Sequence, residues 1–313
     1  MQNYYTIEVE VTNICNAKCV FCANSVLKRP RGFLDVENFR YFVQNQKELL
    51  KNNIFQKIGT KKYPRITFCG LGEPLLHPKI EEIIKIAHDN GFYTQLITNG
   101  ALLSKEKAQQ LVNSHLDEMA ISLHSTNPTN YLKITGLDLE KTLKAIDCSI
   151  GILKKKIKVS FWRIKHPNKQ FQDNPEDQEI YQKTLKKWKI SQTSVLGPSE
   201  PWSRDGFVPN SKCKKVKDKF FWCNKIYFTF NLDWKGNVIL CCNDYNRETV
   251  KLGNAFSYSF NYSELFKLKE KILQKESVPD ICKNCRRWED NEIFSILDDE
   301  DIDKITFKKN LNI

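Results

Sequence analysis

No apolar run in this 313-residue chain is long enough to cross a bilayer. The start, Met1-Gln2-Asn3-Tyr4, lacks the basic region and apolar core of a secretion signal, so a cytoplasmic location is expected and no membrane partner. Histidine is scarce at five residues, and His77 and His88 lie far from the first cysteine cluster, which leaves a nearby zinc site short of imidazole. Zinc-finger, RRM and KH signatures are absent, as are internal repeats and low-complexity segments. Arginine is outnumbered by lysine in the formal charge of +12, which is spread through helices with denser runs at 154–158 and 212–219. Such a surface is expected to be solvated rather than dedicated to nucleic acid, with an anionic substrate or acidic partner still open. The acidic run 298–301 reads as a solvated end.

Cysteine is what the chain has in excess: eleven residues, which in a reducing compartment point to metal or redox chemistry more than to disulfides. Three fall in one polar loop, Cys15-Asn16-Ala17-Lys18-Cys19-Val20-Phe21-Cys22, directly after an alternating strand-like segment. Three thiolates so placed can surround one soft metal centre, and cysteine-only centres are most often iron–sulfur. A 4Fe-4S cluster takes four ligands, so three cysteines leave one iron open. The alternatives are a zinc ion with a distant fourth ligand and three packed structural thiols. The polar neighbours Asn13, Asn16, Lys18 and Asn24 argue against packing.

This loop resembles the cluster loop of the radical S-adenosylmethionine (radical SAM) superfamily. The resemblance implies that Cys15, Cys19 and Cys22 hold a catalytic 4Fe-4S cluster whose open iron binds SAM. It also implies one-electron cleavage of SAM to methionine and a 5′-deoxyadenosyl radical, and abstraction of a substrate hydrogen atom. Phe21 stands where the family packs an aromatic residue near the adenine.

Beyond the loop, strands and helices alternate. Helices are expected over 34–50, opened by Asp35, over a segment from Pro78 to Asn90-Gly91, from Ser104 to Val112, around Leu139 to Ile150, and over 176–189. Strands are expected at 65–68, 92–97, 118–123, 157–162 and 192–196. Such alternation implies right-handed βαβ crossovers, a parallel sheet and functional residues at the strands' C-terminal ends. The expected fold is α/β, a partial (β/α)6 TIM-like barrel over 1–196, followed by a linker at 197–222 and a small cysteine-rich β-hairpin/helix domain over 223–313.

Several strand ends carry further resemblance. Gly70-Leu71-Gly72-Glu73-Pro74 is similar to the family's Gly-Gly-Glu-Pro stretch, which implies that Glu73 and the backbone of Gly72 and Pro74 hold the SAM amino group. An ordinary strand-to-helix turn is the alternative. Thr98 and Asn99 resemble a strand-end motif lining the SAM pocket, and Ser122 stands where a serine bonds the SAM ribose. His124 is either substrate-facing or an idle loop residue. Lys133 and Arg163 are the two candidates for the SAM carboxylate.

The C-terminal third resembles the SPASM extension of radical SAM enzymes through Cys223, Gly236-x4-Cys241, Gly253-Asn254 and Cys282-x2-Cys285, arranged around an expected hairpin at 227–232 and 238–240. The resemblance implies one auxiliary 4Fe-4S cluster held by Cys223, Cys241, Cys282 and Cys285, with Cys242 as the alternative hairpin ligand and a four-cysteine zinc site as the alternative centre. Cysteines that would bind a second auxiliary cluster are missing after Cys285. Cys148 reads as core packing. Cys213 and Cys242 are candidate hydrogen donors or inert thiols, and Trp202 and Arg204 lie in the linker, where they would cover the barrel mouth or form a plain loop. The expected function is therefore oxidation, crosslinking or epimerisation of a peptide or of a sugar- or aminocyclitol-type small molecule, fed by flavodoxin or ferredoxin. The alternatives are a nucleic-acid-binding or RNA-modifying radical SAM protein and a non-catalytic metal-binding protein.

Overall fold

A computed structural model of the chain describes residues 6–52, 64–164, 174–190, 193–196, 229–242, 244–246, 252–260, 262–273 and 276–279. Six parallel strands follow one another across a sheet: β1 (Thr6–Val9), β2 (Arg65–Phe68), β3 (Tyr93–Thr98), β4 (Glu118–Ser122), β5 (Lys158–Ile164) and β6 (Thr193–Leu196). Each new strand is added on the same side of its predecessor. A doubly wound sheet would reverse direction at β1, whereas steady progression keeps the crossover helices on one face and curls the sheet into a partial barrel.

The two faces differ as that geometry demands. Ile7, Val9, Ile66, Phe68, Leu96, Met119, Ile121 and Phe161 are all fully buried and belong to one core with the helices. Their alternates, Glu8, Thr67, Gln95 and Glu118, lie side by side on the opposite, inner face. That face is tied together low in the barrel. Arg65 donates to Gln95 and Glu118 at 3.2 and 3.3 Å, Thr67 donates to Gln95 at 3.1 Å, and Tyr93 donates to Glu118 at 3.2 Å.

The helices begin where the sequence supplies caps. Asp35 accepts from the Asn38 amide ahead of α1 (Val36–Asn52), with Phe39, Phe42 and Val43 fully buried. A 3₁₀ turn (Pro74–Leu76) precedes α2 (Ile80–Asp89), and Ser104 caps α3 (Lys105–Asn113). Next comes α4 (Pro128–Thr135), which was not anticipated although its signals are in the sequence: an Asn127 N-cap, Pro128 in the first turn and left-handed Gly136 at the end. Asp138 caps α5 (Leu139–Leu153), and an Asn174–Asp177 capping box opens α6 (Pro175–Lys187). None of the described helices is long and apolar enough to cross a membrane.

The expected hairpin forms from β7 (Thr229–Leu232) and β8 (Val238–Ile239), joined through Gly236 at φ +81. A side chain at Gly236 would also strike the Phe256 ring, 2.2 Å away. The hairpin continues the barrel: β7 pairs parallel with β1, Ile7 beside Phe230 and Glu8 beside Asn231. Phe230 stacks on Phe42 of α1 at 6.3 Å and meets Phe260 at 6.2 Å, so α1 covers the β1–β7 seam. The last helix among the described residues, α7 (Tyr262–Leu273), packs through Leu265 and Ile272.

Candidate active site

The cysteine loop leaves β1 at the sheet's C-terminal edge, and side-chain bonds fix both of its ends. Thr12 donates to the Gly32 carbonyl at 2.7 Å, and Asn13 pairs with the Pro30 carbonyl and Gly32 amide at 2.8 and 3.0 Å. Arg31 donates to the Asn13 and Asn24 carbonyls at 2.6 and 2.8 Å. In the middle, the Lys18 and Val20 amides donate to the Thr135 and Ile134 carbonyls at the end of α4, at 2.7 and 2.9 Å. The unanticipated helix is thus a buttress for the loop.

Cys15, Cys19 and Cys22 are half-buried. Two of the sulfurs accept backbone amides, Cys15 from Ala17 and Cys22 from Asn24, both at 3.4 Å. Burial pushes the Cys15 thiol up to about 11 and raises Cys19 and Cys22 as well, with the neighbouring thiols adding to the shift at Cys15 and Cys19. Thiols in such surroundings ionise when a cationic centre compensates them, and the amide donors suit the ionised form. Among the described residues no three Cys, His, Asp or Glu side chains gather closely enough for a single metal ion. The thiolate ligands of a cubane each take a different iron, so they need not converge on one point. The donor set fits a cluster.

Against this loop sits Glu73. Its amide donates to the Ile14 carbonyl at 2.9 Å. Its carboxylate is buried and accepts three bonds: from the Leu75 amide at 3.0 Å, the Thr98 hydroxyl at 2.7 Å and the Asn99 amide at 2.8 Å. Burial raises its pKa, and the Asn99, Thr98 and Leu75 donors oppose the rise. Gly72 is in place because nothing larger fits: an added Cβ would lie 2.1 Å from the Thr12 carbonyl oxygen. Asn99 reaches back to the Asn16 side chain at 2.8 Å, linking β3 to the cysteine loop. Gly72, Glu73, Thr98 and Asn99 are therefore joined to one another and to the cysteine loop by direct contacts, with Pro74 next in the chain, and Phe21 lies on that same loop.

Other expected residues are placed differently. Ser122 closes β4 half-buried, beside Trp162 in register. His124 is buried edge-on against Phe21, 5.0 Å between centroids, and its Nδ1 accepts the Ile164 amide at 3.3 Å. Burial, and then the charge of Arg163, hold His124 down to about 4. Arg163 lies over the Tyr181 ring of α6 at 4.8 Å, and Lys133 is exposed on α4. Cys241 is buried and Cys242 half-buried after β8, while Cys148 donates to the Ala145 carbonyl within α5. Cys213, Cys223, Cys282 and Cys285, with Trp202 and Arg204, lie outside the described residues.

Sequence reasoning missed the buried pair Glu10–Arg29, two oxygens against two nitrogens at 2.6 Å, directly beneath the Gly70–Glu73 turn. Burial raises the Glu10 pKa while Arg29 opposes it; the two-point contact is that of a carboxylate with a guanidinium. A carboxylate at the first strand's end was visible in the sequence, but nothing local marked its partner.

A strand-end cysteine triad beside a Gly-Glu turn on a partial barrel defines a class, and the family models agree with it. The radical SAM superfamily model matches residues 9–159, and the SPASM iron–sulfur cluster-binding domain matches residues 223–286. The chain belongs to the radical SAM superfamily, whose cofactors are a 4Fe-4S cluster and SAM, and its SPASM match adds auxiliary iron–sulfur binding.

Among curated relatives, a probable GTP 3′,8-cyclase of Methanocaldococcus jannaschii is 29% identical over 157 residues, covering 50% of this chain and 49% of the relative. The GTP 3′,8-cyclase of Chlorobaculum tepidum is 32% identical over 143 residues, covering 45% and 39%. The chain thus spans half or less of the length of these relatives. Among solved structures, BtrN in complex with AdoMet and 2-DOIA has a TM-score of 0.58 at 20% identity, covering 91% of this chain and 94% of BtrN. Streptococcus suis SuiB bound to precursor peptide SuiA has a TM-score of 0.62 at 14% identity, covering 90% and 71%. At these identities the structural likeness establishes the fold.

Proposed function

We propose that the chain reductively cleaves SAM and removes a hydrogen atom from a polar substrate held in the barrel, leading to oxidation, crosslinking or epimerisation. The observation that carries this reading is the Glu73 carboxylate, buried against the cysteine loop with three donors already on it. A carboxylate offers about four acceptor positions, so one is left for an ammonium such as that of the SAM methionine moiety. When bound at Cys15, Cys19 and Cys22, the cluster and SAM supply one-electron bond cleavage and hydrogen abstraction, fed by a low-potential donor such as flavodoxin or ferredoxin. Around them, Thr98 and Asn99 hold Glu73 in place, Ser122 supplies a ribose contact, and Phe21, backed by neutral His124, supplies an apolar wall for adenine. Arg163, close enough to depress His124, is the better of the two carboxylate candidates. Cys241, or Cys242, contributes with Cys223, Cys282 and Cys285 to the auxiliary site.

The inner face bears on the substrate. Glu8, Thr67, Gln95 and Asn231 share it, and Glu10 and Asp233 follow at its upper edge. The Glu8 carboxylate there suits hydroxyl- or amine-bearing groups of a sugar, aminocyclitol or peptide side chain and opposes a triphosphate on the β1–β7 side, while Glu10 is taken by Arg29 and Asp233 by its own hairpin turn. Anaerobic turnover with SAM and reductant, read as 5′-deoxyadenosine, tests this against an aminocyclitol, a peptide and GTP. Stimulation by GTP alone refutes the substrate reading; no 5′-deoxyadenosine under any condition refutes the enzymatic one.

A further inference from the structure

The segment that follows the cysteine loop is clamped to the β7–β8 turn and to the chain beyond Cys241 and Cys242. Lys28 donates its amide to the Asn246 side chain at 3.0 Å, and Trp234 donates to the Pro30 carbonyl at 3.3 Å. Between them, Arg29 is spent entirely on buried partners. Its two terminal nitrogens engage Glu10, and its Nε donates to the Tyr245 carbonyl at 2.5 Å. The two side chains are 4% and 5% exposed. Glu10 in turn accepts the Leu71 amide at 3.3 Å, and the Leu71 carbonyl accepts the Asn24 side chain. Leu71 is the residue before Gly72-Glu73. One continuous path of bonds therefore runs Tyr245–Arg29–Glu10–Leu71 and ends at the Glu73 turn.

We propose that Arg29, acting through Glu10, is a positioning residue that couples the loop after Cys241–Cys242 to the turn that seats SAM. The inference rests on the reading of Glu73 as the SAM ammonium site. A buried ion pair is a poor source of net stability compared with apolar packing, so its use here is explained by the geometry it enforces. Only a guanidinium fills all three positions: it presents two parallel donors to Glu10 and a third, sideways, to Tyr245, whereas an ammonium is a single point of charge. By linkage, a change in the 244–246 loop then alters SAM affinity, and SAM alters the loop.

The test uses the reconstituted full chain as wild type, Arg29→Lys and the double variant Glu10→Met/Arg29→Met. The double variant removes both charges together, so that neither is buried alone. Two quantities are read beside iron content: SAM affinity by equilibrium dialysis, and hydrogen exchange of the amides at 70–73 and 244–246. Loss of a group that orients a ligand-binding residue typically costs about 10-fold or more. Arg29→Lys is therefore expected to weaken SAM binding by about 10-fold at unchanged iron content, with faster exchange in both segments, and the double variant is expected to do the same. Wild-type SAM affinity and exchange in Arg29→Lys overturn the proposal, and that variant decides if the double one is insoluble. If the wild type binds no SAM, it is the Glu73 reading that fails; exchange rising together in both segments still supports the coupling, and exchange unchanged in either overturns it.

Discussion

Replacing Gly72 with alanine tests the contact between the Glu73 turn and the cysteine loop. The new Cβ would stand 2.1 Å from the Thr12 carbonyl oxygen, 2.6 Å from its carbon and 2.8 Å from the Ile14 oxygen. Ordinary contact begins at 3.4 Å, so the first distance is short by about 1.3 Å, and every atom it meets is backbone. Relief requires the two segments to separate, yet the Glu73 amide is bonded to Ile14 at 2.9 Å and Thr12 is held to Gly32 at 2.7 Å. Overpacking of this kind costs about 1–3 kcal/mol, and a lost buried hydrogen bond adds about 1 kcal/mol. A displacement near 1 Å in a reacting geometry costs about 100-fold in rate. Gly72→Ala should therefore melt below wild type and form 5′-deoxyadenosine about 100-fold more slowly, measured anaerobically against iron per chain. Gly151→Ala is the matched control, because nothing lies within 4 Å of a Cβ there, inside α5. It should gain about 0.5–1 kcal/mol of stability with unchanged cleavage. A Gly72→Ala protein with wild-type melting, iron and rate refutes the reasoning.

Three further outcomes follow from the site. Glu73→Gln turns an amide nitrogen toward one of three donors, so it should lose about 1–3 kcal/mol of stability and weaken SAM binding; wild-type urea unfolding and dialysis would contradict this. His124 is held from 6.5 down to about 4 in the native state, so above pH 6.5 it is neutral both folded and unfolded. Below that the unfolded chain takes up the proton first, and stability falls by about 3 kcal/mol as pH drops to 4. His124→Gln should lose that share of the acid sensitivity, and equal pH slopes of unfolding in the two proteins would show that His124 titrates normally. Arg163→Gln should weaken SAM binding by about 10-fold while Lys133→Gln leaves it unchanged, and the reverse order in dialysis would assign the carboxylate contact to α4.

What could be read from the sequence was local. Asp35 and Ser104 as caps, the apolar stripe of α2 and the short β-branched strands are each written within a few residues, and their order implied a progressive parallel sheet. The cysteine spacing and Gly72-Glu73 were legible for the same reason. The missed features join distant segments: β7 lies beside β1, and Arg29 reaches Tyr245 216 residues away. No periodicity specifies such pairs. The α4 helix is a different case, since Asn127-Pro128 and Gly136 mark both ends and only its shortness concealed it. Lys133 and Arg163 were indistinguishable by position because the facing of a side chain depends on strand register and helix rotation, which the structure supplies.

The most direct test of the central claim is iron content and SAM cleavage in one anaerobic preparation, beside a variant with Cys15, Cys19 and Cys22 all replaced by alanine. Two clusters predict about eight irons in the wild type and about four in the variant, with 5′-deoxyadenosine formed by the wild type alone. A variant that keeps its full iron, or still cleaves SAM, would show that the loop after β1 is not the catalytic centre.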